Sequence, residues 1–529
     1  MVARNRTTWT RVDFGIAVAL LGATVTVFAL LPNALGDADE AYFLLHTRRI
    51  LSGQVIYRDF IEQYTPLGYY LMAIPFALFG ANVVTAKFTM AMFHGGTTLL
   101  LFGAARRLGV GRGLAAAAGL AQVGLCFPAW PMASGHWIAA FFIALILFGL
   151  ASPGWRTRRQ LVLLGVASGC LIGVQHHKGI PVVLGVCLII AVSSGLDRHF
   201  GTSPDGAPRS GALRDLLAPY LGGVSAVVGV MLFALVLQGS AGELLGQLVI
   251  EPFTGYQAVN DPMPWAAVER FTRGLAQNTV VPVLRSLPAL IPIGLARGFL
   301  AWRRRDEDRV RKLQILVLYS SVCALSVLYR ADFIHVAFVV APFFVLLAET
   351  IQAAVRAAAR AASAPSWSGR GFEVGIAFVL LISIGAGLHR FVDQWRERYP
   401  YSADTAFGRV DFRQPHEVEL VRAVRGELEA HTVREIFCYP AFASMYLLAG
   451  GSNPTRYDLV FPGQHGAGDY EEIISVLEEQ STRTVVTGGF LKPGDRFMQY
   501  VSKRFDCVRT TSNGRGCRLF RRKGAATPR

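Results

Sequence analysis

Three carboxylates follow the first apolar segment of the chain at close spacing, at Asp37, Asp39 and Glu40. The segment itself, residues 14–34, is long enough to span or nearly span the hydrocarbon core of a bilayer. An acidic cluster at its end therefore lies at a membrane surface, where a charged group is costly and usually has a function. The pattern indicates a membrane-embedded enzyme that acts at the lipid interface.

Further charged or titratable side chains occur near the ends of other apolar segments. They are Arg58, Asp59 and Glu62 in the loop after the first segment, and His136, His176, His177, Lys178, Arg330, Asp332 and His335 farther along the chain. A carboxylate can act as a general base, and cations can stabilise a departing phosphate. Gathered on one face of the membrane, these residues would suit group transfer from a lipid phosphate.

Structural roles are the alternative for several of these residues. Asp59 would then brace Arg58 or the loop, and Arg330 would pair with Asp332. The run His176-His177-Lys178 would place its polar ends among the lipid headgroups. His136 is expected to be a satisfied residue at a helix end.

The composition is that of a membrane protein. Of 529 residues, 52% are hydrophobic and 17% are charged, whereas a soluble protein carries about 25% charged residues. The net charge of +16 does not form one basic stripe, because the basic residues fall in short clusters between apolar segments. This distribution excludes a nucleic-acid-binding protein and is typical of membrane topology.

Eleven apolar segments are predicted to span the membrane. They lie near residues 14–34, 83–104, 113–130, 134–151, 160–176, 179–196, 216–238, 280–301, 313–329, 333–353 and 372–389. Arginine-rich connections occur at residues 106–112, 155–159, 197–214, 303–312 and 356–370. Basic loops favour the cytoplasm, so the N-terminus is predicted to lie inside and residues 391–529 outside. The first segment is expected to remain as an anchor, because it is too long for a cleaved signal peptide.

Two domains follow from this topology: a transmembrane domain over residues 1–390 and an outer α/β domain over residues 391–529. The transmembrane domain has two long outer loops, residues 35–82 and 239–279. The first is predicted to contain two interface helices, Glu40–Leu51, with Arg48 and Arg49 on a polar face, and Pro66–Phe79.

The outer domain is predicted from short apolar segments. Strands are expected at Val433–Cys438 and Thr484–Thr487, a helix at Tyr470–Glu479, and a hairpin that pairs Phe505–Val508 with Cys517–Phe520. Cys507 and Cys517 flank this hairpin, and whether they form a disulfide is left open.

The first outer loop resembles the GT-C superfamily of polyprenyl-phosphate-sugar-dependent glycosyltransferases. The resemblance begins with Asp39-Glu40-Ala41-Tyr42 and continues through Leu51–Phe60, where Gly53, Tyr57 and Asp59 keep a Gly-x-x-x-Tyr-x-Asp order. It ends with Tyr64–Tyr70, which contains Pro-Leu-x-Tyr-Tyr. The branches most similar are protein mannosyltransferases, aminoarabinose transferases and bacterial lipopolysaccharide sugar transferases.

The resemblance implies a GT-C-like helical membrane fold and transfer of a sugar from a polyprenyl phosphate to an acceptor hydroxyl, with inversion, on the outer face of the cytoplasmic membrane. It implies that Asp39 is the catalytic base. Asp37 is the alternative candidate for that role, and Glu40 is a third catalytic candidate in the same stretch. From their placement on the outer face, the candidate substrate-binding residues are Lys178, Arg330, His335, His177, Arg58 and Asp59. The resemblance does not require a cofactor. Some relatives carry a metal near the first-loop acids, so the binding of a divalent metal is left open. The acceptor could be a lipid, a polysaccharide or a protein.

Two other functions compete with this one. A transporter or flippase for a lipid-linked saccharide would favour internal repeats and broken spans that meet at the midplane, and the sequence contains no repeat. A non-catalytic binding subunit with the same fold would carry the same segments. Asp37-Ala38-Asp39 also matches the DxD of nucleotide-sugar transferases, but no nucleotide-binding domain accompanies it.

Overall fold

The structure is a computed structural model in which residues 9–36, 38–200, 213–251, 264–267, 275–363, 366–430, 434–460, 465–488, 495–510 and 517–524 are described. The predicted catalytic candidate Asp37 lies outside these residues, as do much of the second long outer loop and Asn513-Gly514, where the sequence predicts the turn of the hairpin. The described chain is a multi-pass helical membrane protein with a small mixed sheet near its C-terminus.

All eleven apolar segments predicted to span the membrane are helical in the structure, in whole or in part. The helices up to the second long loop are α1 Arg11–Leu30, α2 Asp39–Leu51, α3 Leu67–Phe79, α4 Val83–Arg107, α5 Arg112–Ala121, α6 Gly135–Leu150, α7 Arg158–Val174, α8 His176–Phe200, α9 Leu213–Leu237 and α10 Ala241–Leu245. Those that follow in the bundle are α11 Leu275–Ser286, α12 Leu290–Arg303, α13 Glu307–Leu325, α14 Phe333–Ala337, α15 Ala341–Ala361 and α16 Ser366–Arg398. By length and composition, eight spans in the described chain could cross a membrane.

Several predicted spans are interrupted. The segment 113–130 is α5 followed by a π-helical turn, Gln122–Cys126, and a 3-10 turn, Phe127–Ala129. Pro128 lies in the 3-10 turn and lacks a backbone N–H, so it cannot continue the regular hydrogen bonding of an α-helix. A short helix, α14, precedes α15 where one span had been predicted over residues 333–353.

One end of the bundle is rich in arginine. Near this end Asp13 of α1 accepts from Arg106 and Arg112, each at 3.0 Å. Asp197 of α8 pairs with Arg156 and Arg311, at 2.5 and 2.7 Å. These ion pairs join connections that the sequence predicts to be cytoplasmic.

The two predicted interface helices are present as α2 and α3, with boundaries within a residue of those expected. The polar face of α2 is not open to water, which differs from the expectation. Arg49 is buried and bonds Asp458, and Arg48 donates to the carbonyls of Tyr446 and Gly451. The C-terminal domain therefore lies on the same side of the bundle as the first long loop.

The C-terminal domain contains two small sheets. Strands β1 Tyr401–Thr405 and β2 Gly408–Phe412 form an antiparallel hairpin. A four-stranded sheet has the order β3-β4-β6-β5, with β3 Ile436–Tyr439 and β4 Thr484–Thr487 parallel, and β5 Phe505–Thr510 antiparallel to β6 Cys517–Arg522. The remaining helices are α17 Pro415–Glu429, α18 Ser444–Ala449, α19 Ala467–Glu479 and α20 Arg496–Arg504. The two predicted single strands, the predicted helix and the predicted hairpin are thus found, whereas the pairing of β3 with β4 and the elements β1, β2, α17, α18 and α20 had not been predicted.

The cysteines divide into two groups. Cys126, Cys170, Cys187, Cys323 and Cys438 are free. Cys507 is disulfide-bonded. The backbone of Cys517 pairs with Thr510 across the β5–β6 ladder, and its side chain lies outside the described part of the chain.

Candidate active site

The first turn of α2 carries two of the acidic candidates. Asp39 is exposed there, where the positive end of the helix dipole favours a carboxylate. Glu40 is buried, and its carboxylate accepts from the backbone N–H groups of Gly36, at 2.8 Å, and Ala133, at 2.6 Å. Burial raises the pKa of Glu40 to about 7, although the two backbone donors act to lower it. Glu40 thus fixes the start of α2 against the turn that precedes α6.

A compact group of cations and aromatic rings lies just beyond that turn. Lys178, in the first turn of α8, is fully buried, and its Nζ lies 2.6 Å from Nδ1 of His136. The imidazole of His136 stacks on Phe338 with the ring centroids 4.4 Å apart. The hydroxyl of Tyr64, from the first outer loop, is 3.4 Å from Nε2 of the same imidazole.

His177 and His335 complete this group. The ring of His335 lies 5.7 Å from that of His136, and the ring of His177 lies 6.4 Å from it. Nε2 of His177 is buried and has no hydrogen-bond partner among the described residues. We call Tyr64, His136, His177, Lys178 and His335 the cation cluster.

Arg330 is joined to the cation cluster indirectly, by the carboxylate of Asp332. Its Nε lies 3.1 Å from Asp332, and the same carboxylate bonds Nδ1 of His335 at 2.7 Å. Asp332 also caps α14 by accepting from the backbone of Ile334 and His335. Burial acts to raise the pKa of Asp332, but the bond to His335 and the charge of Arg330 bring it below its usual value. Asp332 is therefore an ionised link between Arg330 and the cluster.

Arg58 and Asp59 lie elsewhere in the first loop. They pair with one another at 2.8 Å, and Asp59 also accepts from the backbone N–H of Val55 at 2.7 Å. The hydrogen bond to Arg58 is the largest influence on the pKa of Asp59 and lowers it. These contacts match the bracing alternative for Asp59, and Arg58 donates to the carbonyl of Gln238 rather than to the cation cluster.

Sequence reasoning did not single out His46. This buried residue of α2 bonds Glu62 through Nδ1, at 2.6 Å, and Asp458 of the C-terminal domain through Nε2, at 2.9 Å. Arg49 bonds the same Asp458 carboxylate at 2.5 Å. Despite burial, Arg49 and His46 lower the pKa of Asp458 to about 2. The network connects the first loop to the C-terminal domain. Its partners are so distant in sequence that no local pattern could reveal it.

A polar chamber of ≈ 340 Å³ lies between the first loop and the C-terminal domain, with Glu40 in its wall. Its remaining wall comes from the start of α4, the turn at Pro131–Ala133, the end of α16 and the C-terminal domain. The cation cluster does not line this chamber. Ala133 bonds Glu40 in the chamber wall, whereas His136, three positions later, contacts Lys178. The turn 133–136 thus lies between the acidic and cationic candidates and contacts both.

Metal binding was left open by the sequence. Among the residues described, no group of three or more His, Cys, Asp or Glu side chains is placed to hold a metal ion. Asp37, an acid of the motif, is outside them.

No family model and no curated protein matches the chain. Several solved structures, however, are similar to it in fold. ArnT from Cupriavidus metallidurans bound to undecaprenyl phosphate superposes with a TM-score of 0.59 at 13% identity, over 96% of this chain and 97% of that one. The arabinofuranosyltransferase AftD from Mycobacteria gives 0.52 at 14% identity, over 99% of this chain and 40% of AftD.

The oligosaccharyltransferase of Archaeoglobus fulgidus, tethered with an acceptor peptide, gives a TM-score of 0.50 at 13% identity, over 89% of this chain and 68% of that one. The fold is similar to that of these GT-C glycosyltransferases. The GT-C likeness spans both the helical bundle and the C-terminal domain, since nearly the whole chain is covered. At these identities it concerns the fold, and the chemistry must be argued from the side chains.

Proposed function

We propose that this protein is a membrane glycosyltransferase that moves a sugar from a polyprenyl-phosphate donor to an acceptor hydroxyl. The observation that carries the proposal is the position of the turn 133–136, which contacts Glu40 beside Asp39 on one side and Lys178 on the other. An acid and a buried cation from distant parts of the chain therefore lie near one another in a GT-C fold.

The cation cluster is proposed to bind the donor phosphate. Lys178 is fully buried, and its Nζ contacts the imidazole of His136 rather than a carboxylate. The neighbouring acid, Asp332, already bonds His335 and Arg330. A buried ammonium without a carboxylate partner is costly. A phosphate would supply the missing negative charge, and the buried Nε2 of His177 could donate to it.

Asp39 is proposed as the base, with Asp37 as the alternative acid. The acceptor hydroxyl would transfer its proton to the carboxylate as its oxygen forms a bond to the anomeric carbon. The bond from that carbon to the phosphate oxygen would break at the same time, and the polyprenyl phosphate would leave with the electron pair. Attack opposite the leaving group inverts the anomeric centre. Lys178 would stabilise the charge that develops on the leaving oxygen.

The proposal is tested with the purified full chain in detergent and a panel of polyprenyl-phosphate sugars. We expect at least one donor to release polyprenyl phosphate, by hydrolysis or by transfer, and we expect Asp39→Asn to prevent that release. Donor binding without release from any member would contradict the proposal and favour the non-catalytic subunit. Movement of the intact donor across proteoliposome membranes without cleavage would favour the flippase.

A further inference from the structure

Two spans end side by side at the arginine-rich end of the bundle. They are His176–Phe200, which is α8, and Val280–Arg303, whose last part is α12. At these ends the imidazole of His199 stacks on the indole of Trp302, with the ring centroids 5.4 Å apart. The end of an apolar span lies at the level of the lipid headgroups, where tryptophan is enriched. The stacked pair therefore marks the depth of a membrane surface.

Four arginines adjoin this stacked pair in the chain. Arg198 precedes His199 on α8, Arg303 ends α12, and Arg304 and Arg305 follow directly. All four side chains are exposed. We call Arg198, His199, Trp302 and Arg303–Arg305 the basic patch.

The carboxylates next to the basic patch are engaged elsewhere. Glu307 and Asp308 form ion pairs within α13, each at 2.6 Å, and Asp306 caps that helix. Asp197 pairs with two arginines outside the patch, at 2.5 and 2.7 Å. Within the described part of the chain, no carboxylate lies at ion-pair distance from any of the four patch arginines. Their positive charge is thus available to a ligand.

The four guanidinium groups are not needed to cap α12 either. The backbone N–H groups of Arg304, Arg305 and Asp306 donate to carbonyls of its last turn, at 2.9–3.2 Å. Arg305 has a left-handed φ of 57°, at the position of this motif where glycine is usual. An arginine there keeps a strain that glycine would relieve, and such strain is typical of residues retained for a function.

An apolar stripe of α12 leads up to the basic patch. Leu295, Phe299 and Trp302 follow one another at helical spacing, and all three are exposed. The rings of Phe299 and Trp302 stack with centroids 6.0 Å apart. Arg303 continues the stripe, four positions after Phe299. The surface thus passes from hydrocarbon to guanidinium, which is the order of groups that faces one anionic phospholipid.

We propose that the basic patch binds an anionic glycerophospholipid, with the lipid phosphate on its arginines and one acyl chain along Leu295, Phe299 and Trp302. A guanidinium matches two phosphate oxygens with parallel N–H groups, which favours a phosphate. A soluble anion would use the arginines and gain nothing from the apolar stripe. The inference is independent of the proposed function, because the patch lies at the opposite end of α8 from Lys178.

Arg305→Gly tests the site while leaving the fold intact, because it removes a charge and also relieves the strain at that position. The melting temperature in lipid-free detergent should therefore not fall. The affinity for phosphatidylglycerol should fall by about fivefold, the effect of one arginine at an anionic lipid surface. Arg303→Gln, which leaves the backbone at position 305 unaltered, should have the same effect. The two changes together should cost about twenty-five-fold.

The matched control is the double variant Arg158→Gln, Arg159→Gln. Both residues are exposed at the start of α7, toward the same end of the bundle, so the control removes two positive charges outside the patch. Its affinity for phosphatidylglycerol should equal that of the unaltered chain.

The full chain in nonionic detergent is titrated with radiolabelled phosphatidylglycerol, and bound lipid is measured at equilibrium. The lipid should also raise the melting temperature of the unaltered chain more than that of Arg305→Gly. If Arg305→Gly alone lowers the melting temperature without lipid, Arg303→Gln decides the question.

Four results would overturn the inference. They are equal binding of phosphatidylcholine, an unchanged affinity in Arg303→Gln, an equal loss in the control, and competition by glycerol 3-phosphate as strong as that by phosphatidylglycerol. The last result would mean that the patch takes a soluble anion.

Discussion

Nζ of Lys178 lies 2.6 Å from Nδ1 of His136, three positions beyond the residue whose backbone N–H bonds Glu40. The contact places a buried cation from the start of α8 against the start of α6. Under the proposed function Lys178 is the first candidate to bind the donor phosphate, because Arg330 reaches the cluster only through Asp332.

Lys178→Met should weaken donor binding, because the variant keeps the length of the side chain and removes its charge. We expect the affinity for undecaprenyl phosphate to fall by about ten- to a hundredfold, the value of one charge-assisted hydrogen bond. Arg330→Ala should weaken binding less, and Arg330→Lys should not fully restore it, since Lys lacks the planar fork. Equilibrium binding of radiolabelled lipid measures both.

Lys312→Met is the control, since Lys312 pairs with Asp308 at the start of α13, toward the arginine-rich end. A larger loss for Arg330→Ala than for Lys178→Met would reverse the order of the two cations. Unchanged binding in the Lys178 variant would remove it from the donor site.

Asp39→Asn should keep the shape of the side chain while removing its capacity to accept a proton. We expect turnover to fall by roughly two to four orders of magnitude with donor binding retained. Asp37→Asn should cost less unless that acid holds a metal. Single-turnover release of polyprenyl phosphate separates chemistry from binding. Near-normal turnover in the Asp39 variant, with an inactive Asp37 variant, would move the base to Asp37.

Glu40→Gln should loosen the start of α2. An amide has one acceptor oxygen, so its nitrogen would face the N–H of either Gly36 or Ala133, and one buried donor would be left unsatisfied. We expect hydrogen exchange at these two amides to accelerate by about tenfold. Glu429→Gln, at an exposed pair with Arg425, is the control. Unaltered protection at both amides would show that Glu40 does not hold this turn.

The first loop was predictable because its signals are local. The acids that begin α2, and the apolar runs of α2 and α3, follow one another in the sequence, and the boundaries agree within a residue. The cation cluster was predicted only as separate helix ends. His136 was expected to be satisfied locally, yet it lies against Lys178, 42 positions away. The partners His46 and Asp458 are 412 positions apart, and only the packing of the C-terminal domain brings them together.

The interruptions of the spans also depend on packing. A run of apolar residues over 113–130 has the same hydropathy whether it is a straight helix or a helix that ends in π and 3-10 turns. Pro128 is a local sign that the helix cannot continue regularly. Gly124 of the π-helical turn packs so closely on Ile384 of α16 that an added Cβ would clash, and residue patterns along one segment do not reveal that contact.

Orientation in the membrane is a further prediction. With the arginine-rich end in the cytoplasm, a fluorescent reporter that folds only in the cytoplasm should be silent when fused after Arg529. The same reporter inserted in the connection at residues 155–159 should be bright. Strong fluorescence from the C-terminal fusion would invert the topology and place the candidate site on the cytoplasmic face.

The last prediction concerns pH and His46. Burial acts to lower the pKa of this imidazole, but its bonds to Asp458 and Glu62 raise it above the usual value. A raised folded-state pKa means that protonation stabilises the fold. The contribution is complete below the unfolded pKa of about 6.5 and is lost as the pH rises through the folded value.

His46→Gln should therefore lower the melting temperature of the detergent-solubilised protein most at low pH, because breaking a buried ionic network costs about 3–5 kcal/mol. The difference between the variant and the unaltered chain should shrink as the pH is raised from 6 toward 9. His389→Gln is the control, since that histidine is exposed and pairs with Asp393 at 3.2 Å. Thermal unfolding across this range measures the effect, and a gap that stays constant with pH would mean that His46 is neutral in the folded protein.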